Sequence, residues 1–205
     1  GFAFADFALF RGLPVDDNSR VVSIFVSDTR GSNTRARVSA ADLLDYRARS
    51  TTLDELSGMR EGRVPLIRNG QSQTLVASFA TANVFTAMGQ QVIAGRGFLP
   101  GEDLPGAAQL AVLAHRYWRD EFQSRPDAVG QTMQIGRDFV TIIGVINPDL
   151  EFGSLGEVDI WLPFVLWADE PRDARNIRFI ARLKRGVTFD QAAAEMASIG
   201  DALAT

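Results

Sequence analysis

Asn69-Gly70 lies between two apolar-rich runs, Val64 to Ile67 and Thr74 to Phe79, and this dipeptide is the strongest short hairpin signal a sequence carries. The turn it forms places both residues at positive φ, a region glycine enters freely and asparagine more readily than most residues. The two runs are therefore expected as antiparallel neighbours. Other stretches follow the same short rhythm. Val21 to Val26 is β-branched and of strand length, Leu110 to Leu113 reads as a buried strand, and Gln131 to Ile135 with Phe139 to Ile146 reads as a second hairpin across Gly136. Val158, Ile160, Leu162 and Phe164 alternate with Asp159 and Trp161, which predicts one face on a core, while Pro163 moves this strand toward an edge or its end. A last strand is expected through Ile177, Phe179, Ala181 and Leu183.

Helices are marked by their caps. Ser39 followed by Asp42 predicts a capping box opening a helix through Leu43, Leu44, Tyr46 and Ala48, with Leu53, Leu56 and Met59 in a second short helix. Ala82 to Met88 predicts a short helix ended by Gly89, and His115 to Phe122 an amphipathic one. Thr188 with Gln191 forms a second capping box ahead of Phe189, Ala192, Ala193, Met196, Ile199 and Leu203, which fall on one helical stripe. Helices and hairpins in this order predict an α+β fold. At 205 residues and 46% hydrophobic content the chain can bury one large core or two small ones.

The first ten residues, GFAFADFALF, are apolar but too few to cross a bilayer, which takes about 20 residues. An ordinary amphipathic start is one reading. The sharper one is the tail of a membrane helix, ended by Arg11, Gly12 and Pro14 where the chain leaves the bilayer. Residues 1–15 are accordingly expected as the residual end of a transmembrane helix with its exit turn. The polar stretch Ser27 to Arg37 is expected as a mobile, solvated loop despite its three arginines, because no aromatic residues interleave with them.

A net charge of −4 offers no footprint for nucleic acid, which demands a concentrated basic surface. The absence of cysteine excludes disulfides, thiolate metal sites and cysteine nucleophiles. Each catalytic constellation fails on a stated requirement. Gly101 and Gly106 have the spacing of a phosphate loop, but Ala107 and Ala108 stand where a lysine and a hydroxyl residue must reach phosphate and magnesium. Gly95-Arg96-Gly97 lacks the third glycine of a dinucleotide fingerprint. His115 is the only histidine, and a metal site draws on several such ligands. Glu102, Asp103, Asp149, Glu151, Glu157 and Asp159 could pair for acid/base work, yet they lie in turn-rich segments where caps and turns are the commoner use. Trp118, Trp161 and Trp167 are expected in core packing or partner contact. No catalytic, cofactor-binding or metal-binding residue is therefore assigned.

Leu13-Pro14-Val15 after the apolar run, the stretch Ser39 to Met59, and above all TANVFTAMGQQVIAGRGFLPGEDLPGAAQLAVLAHRYWRDEF from Thr81 carry a resemblance. They resemble the MacB-like periplasmic core domain of ABC-type permeases, with its Asn-x-Phe helix, Gly-Arg-x-Phe bend, acidic turn, and strand ending before a tryptophan. The likeness continues through Val129-Gly130-Gln131, Ile143-Gly144-Val145 and Asp159-Ile160-Trp161-Leu162-Pro163. Met88, where leucine is usual, and Asn147 depart from it. Within the family the chain looks most like the large multi-span permeases of soil bacteria.

The resemblance implies an extracytoplasmic domain of a cytoplasmic-membrane protein, between the first and second membrane helices. It further implies a porter-like α/β subdomain at 16–80 and 172–205 with an inserted sabre-like mixed α/β subdomain at 81–171. Two chain crossings, near 79–83 and near 168–176, would join them. The implied role is transmission of conformational change without catalysis or cofactor. The implied partners are the parent's own transmembrane helices, a separate nucleotide-binding domain and a periplasmic adaptor, in a dimeric parent. A free-standing extracytoplasmic solute-binding or docking module is the alternative, and a secreted hydrolase centred on His115 is a more distant rival.

Overall fold

The computed structural model describes residues 5–9, 20–27, 35–36, 38–89, 92–147, 158–167, 169–171 and 176–203. Eleven strands and four α-helices lie among them. In chain order they are β1 (Ala5–Leu9), β2 (Val21–Ser27), β3 (Arg35–Ala36), α1 (Ala40–Arg49), β4 (Leu53–Arg68), β5 (Gln71–Ala80), α2 (Val84–Met88), β6 (Val92–Gly95), β7 (Leu110–Leu113), α3 (His115–Phe122), β8 (Thr132–Ile135), β9 (Asp138–Ile146), β10 (Ile160–Pro163), β11 (Arg178–Leu183) and α4 (Phe189–Leu203). They divide into two compact units, one of residues 1–59, 86–89 and 166–205, the other of residues 60–85 and 90–165.

In the first unit β11 pairs antiparallel with β2 and with the N-terminal part of β4, β1 pairs antiparallel with β2, and β3 adds two residues to β2. Both predicted capping boxes form. Ser39 Oγ accepts from Asp42 N while Asp42 accepts from Ser39 N, and Thr188 and Gln191 exchange the equivalent pair of bonds. Removing such a cap costs about 1 kcal/mol. Tyr46 meets Phe179 edge-on at 5.8 Å between ring centroids, joining the buried face of α1 to β11. Ala192, Met196 and Ile199 are the buried members of the predicted α4 stripe.

Two expectations are corrected in this unit. Leu53 to Met59 is not a helix but the start of β4, in register with β11 from Leu183 back to Arg178. Apolar residues three apart suit a helix, but Gly58 decides the matter: a Cβ there would lie 2.6 Å from Leu43 Cδ2 and 2.9 Å from Ile177 Cγ2. The backbone must pass close beneath two core side chains, a common reason for glycine within a strand. Ala5–Leu9 is likewise a strand, matched residue by residue to β2 from Val26 back to Val22, and not the end of a helix. The rest of the 1–15 assignment lies outside the described residues, as does most of the Ser27 to Arg37 loop, whose Ser27, Arg35 and Ala36 are strand residues.

The second unit holds the C-terminal part of β4 and then β5, β10, β7, β9 and β6, with β8 pairing both β4 and β9. The Asn69-Gly70 hairpin forms with φ of 51° and 73° at its two turn residues. β10 runs parallel to β5, and β7 parallel to β9. Parallel partners require long crossovers, supplied by the segments carrying α2 and α3. The core joins Leu66, Leu75, Leu113, Tyr117, Ile142 and Leu162 with their neighbours. Burying each large aliphatic side chain contributes about 1.5–3 kcal/mol. β10 lies between β5 and β7, and Trp161, expected in core packing or partner contact, is a core residue at 1% exposure. Alternation in β10 separates two buried layers, as in sheets covered on both faces.

β4 passes from one unit to the other between Met59 and Arg60, so the hairpin of β4 and β5 groups with the second unit. The last crossing falls between Val165 and Leu166.

Candidate functional site

Of the polar residues singled out in the sequence, Glu102, Asp103 and Asp159 are engaged in structural hydrogen bonds. Asp159 accepts from Val76 N at 2.8 Å with one oxygen and from Arg116 Nη2 at 2.6 Å with the other. Asp103 accepts from Ala82 N at 2.7 Å, which ties the approach to α2 to the acidic turn. His115 opens α3 with its ring edge-on to Trp118 at 5.8 Å. No group of three His, Cys, Asp or Glu side chains able to hold a metal occurs among the described residues. Asp149, Glu151 and Glu157 lie outside them. Trp118 packs against the core of the second unit and donates from Nε1 to Arg125 O. Trp167 is 53% exposed.

The glycines of the rejected nucleotide motifs serve the backbone. Gly101 and Gly106 have φ of 91° and 80° in consecutive tight turns, and at Gly95 a Cβ would lie 2.1 Å from Ile143 O. Without a lysine or hydroxyl side chain at Ala107 and Ala108, these turns lack the groups that grip phosphate.

What the second unit builds here is a braced loop. Arg96 Nη1 and Nη2 donate to the two carboxylate oxygens of Glu102 at 2.9 and 2.8 Å, and Glu102 also accepts from Leu99 N at 2.8 Å. The hydrogen bonds from Arg96 hold the Glu102 carboxyl below its ordinary range. Turns closed by Glu102 N to Leu99 O, Leu104 N to Gly101 O and Ala107 N to Leu104 O complete the brace. The loop holds Leu99 and Leu104 in solvent, 51% and 59% exposed. Leu104 also lines an open groove of about 570 Å³ together with Phe79, Val140, Leu162, Arg137 and Asp138. The braced turns thus present two exposed apolar side chains to solvent. Composition alone did not mark this loop, because its leucines are separated by turn residues and follow no period.

The sequence profile described as MacB-like periplasmic core domain matches residues 5–199. The fold is similar to the periplasmic region of MacB from Actinobacillus actinomycetemcomitans, with a TM-score of 0.67 and 15% identity over 90% of this chain and 84% of that one. It is similar to a domain of a putative permease from Porphyromonas gingivalis, with a TM-score of 0.62 and 15% identity over 92% and 83%. It is also similar to the extracellular domain of the noncanonic ABC-type transporter YknZ from Gram-positive bacteria, with a TM-score of 0.63 and 14% identity over 90% and 95%. No curated protein matches the chain.

Proposed function

Because the chain belongs to the MacB-like periplasmic core domain family, an extracytoplasmic part of ABC-type permeases, we propose that it transmits changes of shape between its parent's membrane helices and partners outside the membrane, with no reaction of its own. The observation behind this reading is the division into two compact units that the chain connects only at 59/60, 85/86, 89/90 and 165/166. Few connections between well-packed bodies are what hinge motion requires, since packed cores move as wholes while a few linking residues absorb the rotation. The first unit is read as the porter-like part and the second as the inserted, sabre-like part. ATP is hydrolysed by a separate nucleotide-binding domain, and the domain responds through its membrane helices. A periplasmic adaptor and a second copy of the parent complete the partners.

The test uses the absence of native cysteine. One cysteine placed in each unit can be oxidised to a disulfide, whose Cα atoms stand about 4.4–6.8 Å apart, without competing thiols. In the full transporter, oxidation should suppress transport or uncouple it from ATP hydrolysis, and reduction should restore both. A locked transporter that works at the normal rate would remove relative motion as the mechanism. A docking platform would then be the function, a reading that the exposed Leu99 and Leu104 favour.

A further inference from the structure

Two of the chain's crossings between units are marked, inside the second unit, by one side chain. Arg60 is the first residue of that unit on β4, and Phe164 is the penultimate residue before the chain leaves it at Val165. The Arg60 guanidinium lies 4.5 Å from the centroid of the Phe164 ring and 5.5 Å from that of Phe79. Both distances fall within the roughly 6 Å over which a ring quadrupole attracts a cation. Phe164 is buried, and Arg60 and Phe79 are half-buried, so water screens the contact less than at an open surface.

The surroundings are shaped for this stack. Residues 60 and 62 share a face of β4. At Gly62 a Cβ would lie 3.1 Å from Phe79 Cε2, so the missing side chain lets the Phe79 ring lie against the strand beside Arg60. Phe164 is aligned from its own backbone, because its N–H donates to Ala80 O at 2.8 Å and extends the parallel pairing of β10 with β5 by one residue beyond Pro163.

We propose that Arg60, Phe79 and Phe164 form a clasp that fixes the entering strand to the leaving strand, so that rotation is absorbed beyond Val165 and not within the second unit. Arg60 is a positioning residue. Its cation holds the end of the leaving strand in place through two rings, and the pairing of Phe164 with Ala80 depends on it. The importance of this for transport rests on the transmission reading; the clasp itself does not.

Hydrogen exchange at the Phe164 amide in this chain tests the clasp directly. Arg60→Met, which keeps length and apolar stem but removes the cation, should speed exchange there about tenfold while leaving the Gly136 and Thr141 amides of the same unit unchanged. Phe164→Leu should do the same, and the double variant should be no faster than the faster single, since each removes the same contact. Arg60→Lys should restore most of the protection. Protection in Arg60→Met equal to the parent, or effects of the two substitutions that simply add, would overturn the clasp. Faster exchange at all three amides would overturn it too, because the effect would then be global. In the full permease, a loosened Phe164 amide with unchanged transport per ATP would leave the clasp standing and count against the transmission reading.

Discussion

Glu195 on α4 shows how much one side chain can organise. Its carboxylate accepts from Thr51 N at 2.7 Å, Thr52 N at 3.0 Å and Ser50 Oγ at 3.0 Å, and from the hydroxyls of Thr51 and Thr52. Burial alone would raise its pKa, but these donors outweigh burial and hold it down at about 2, against an ordinary 4.5. A depressed carboxylate contributes stability that is fully present above its unfolded value and disappears as the pH falls through its folded one. Glu195→Gln should therefore cost about 1–2 kcal/mol at neutral pH, the lower range for charged hydrogen bonds because the group is half-exposed. The gap between variant and parent, followed by chemical denaturation, should close between pH 4.5 and about 2. A gap that persists unchanged through that window would mean the stability comes from packing. At Gly58 the added methyl of alanine meets Leu43 and Ile177, and Gly58→Ala should cost about 1–3 kcal/mol by overpacking. Thermal melting measures it, and an unchanged midpoint would show that the strand can shift away. None of these contacts was legible from sequence. Glu195 lies 143 to 145 residues from its donors, and Gly58 shows its purpose only when two distant side chains close over it.

Among elements, those announced by local chemistry form as read: the Asn69-Gly70 hairpin, the hairpin across Gly136, both capping boxes and the helix ended by Gly89. Local hydrogen bonds and backbone sterics decide these, and they act within four residues. The start of β4 and strand β1 were misread because strand pairing is a contact with a distant partner. Leu53 to Met59 and Ala5 to Leu9 take their state from β11 and β2. Deleting residues 1–10 should now lower the thermal midpoint, because it strips β2 of an antiparallel neighbour. A loss of ~1 kcal/mol corresponds to roughly 2–4 °C at this chain length. An unchanged midpoint would show that β1 adds nothing measurable to the stability of the sheet.

For the whole molecule, the composition carries a negative expectation that calorimetry can check. With one histidine, no cysteine and no lysine after the glycine turns, titration with Zn²⁺ or with Mg²⁺–ATP should give no stoichiometric heat. A micromolar one-to-one isotherm with either would overturn that expectation. Amino-acid order by itself determined the α+β class, the turns, the helix caps and, through the quoted motifs, the family, because each depends on residues close in the chain or on a pattern of them. Tertiary structure decided where β4 passes between units, which face of Trp161 counts as core, and how Leu99 and Leu104 are held out in solvent. It also decided that Arg60 meets Phe164. Those outcomes follow from strand order and close approach between residues far apart in the chain, and burial and pairing energies at such separations leave no local signature.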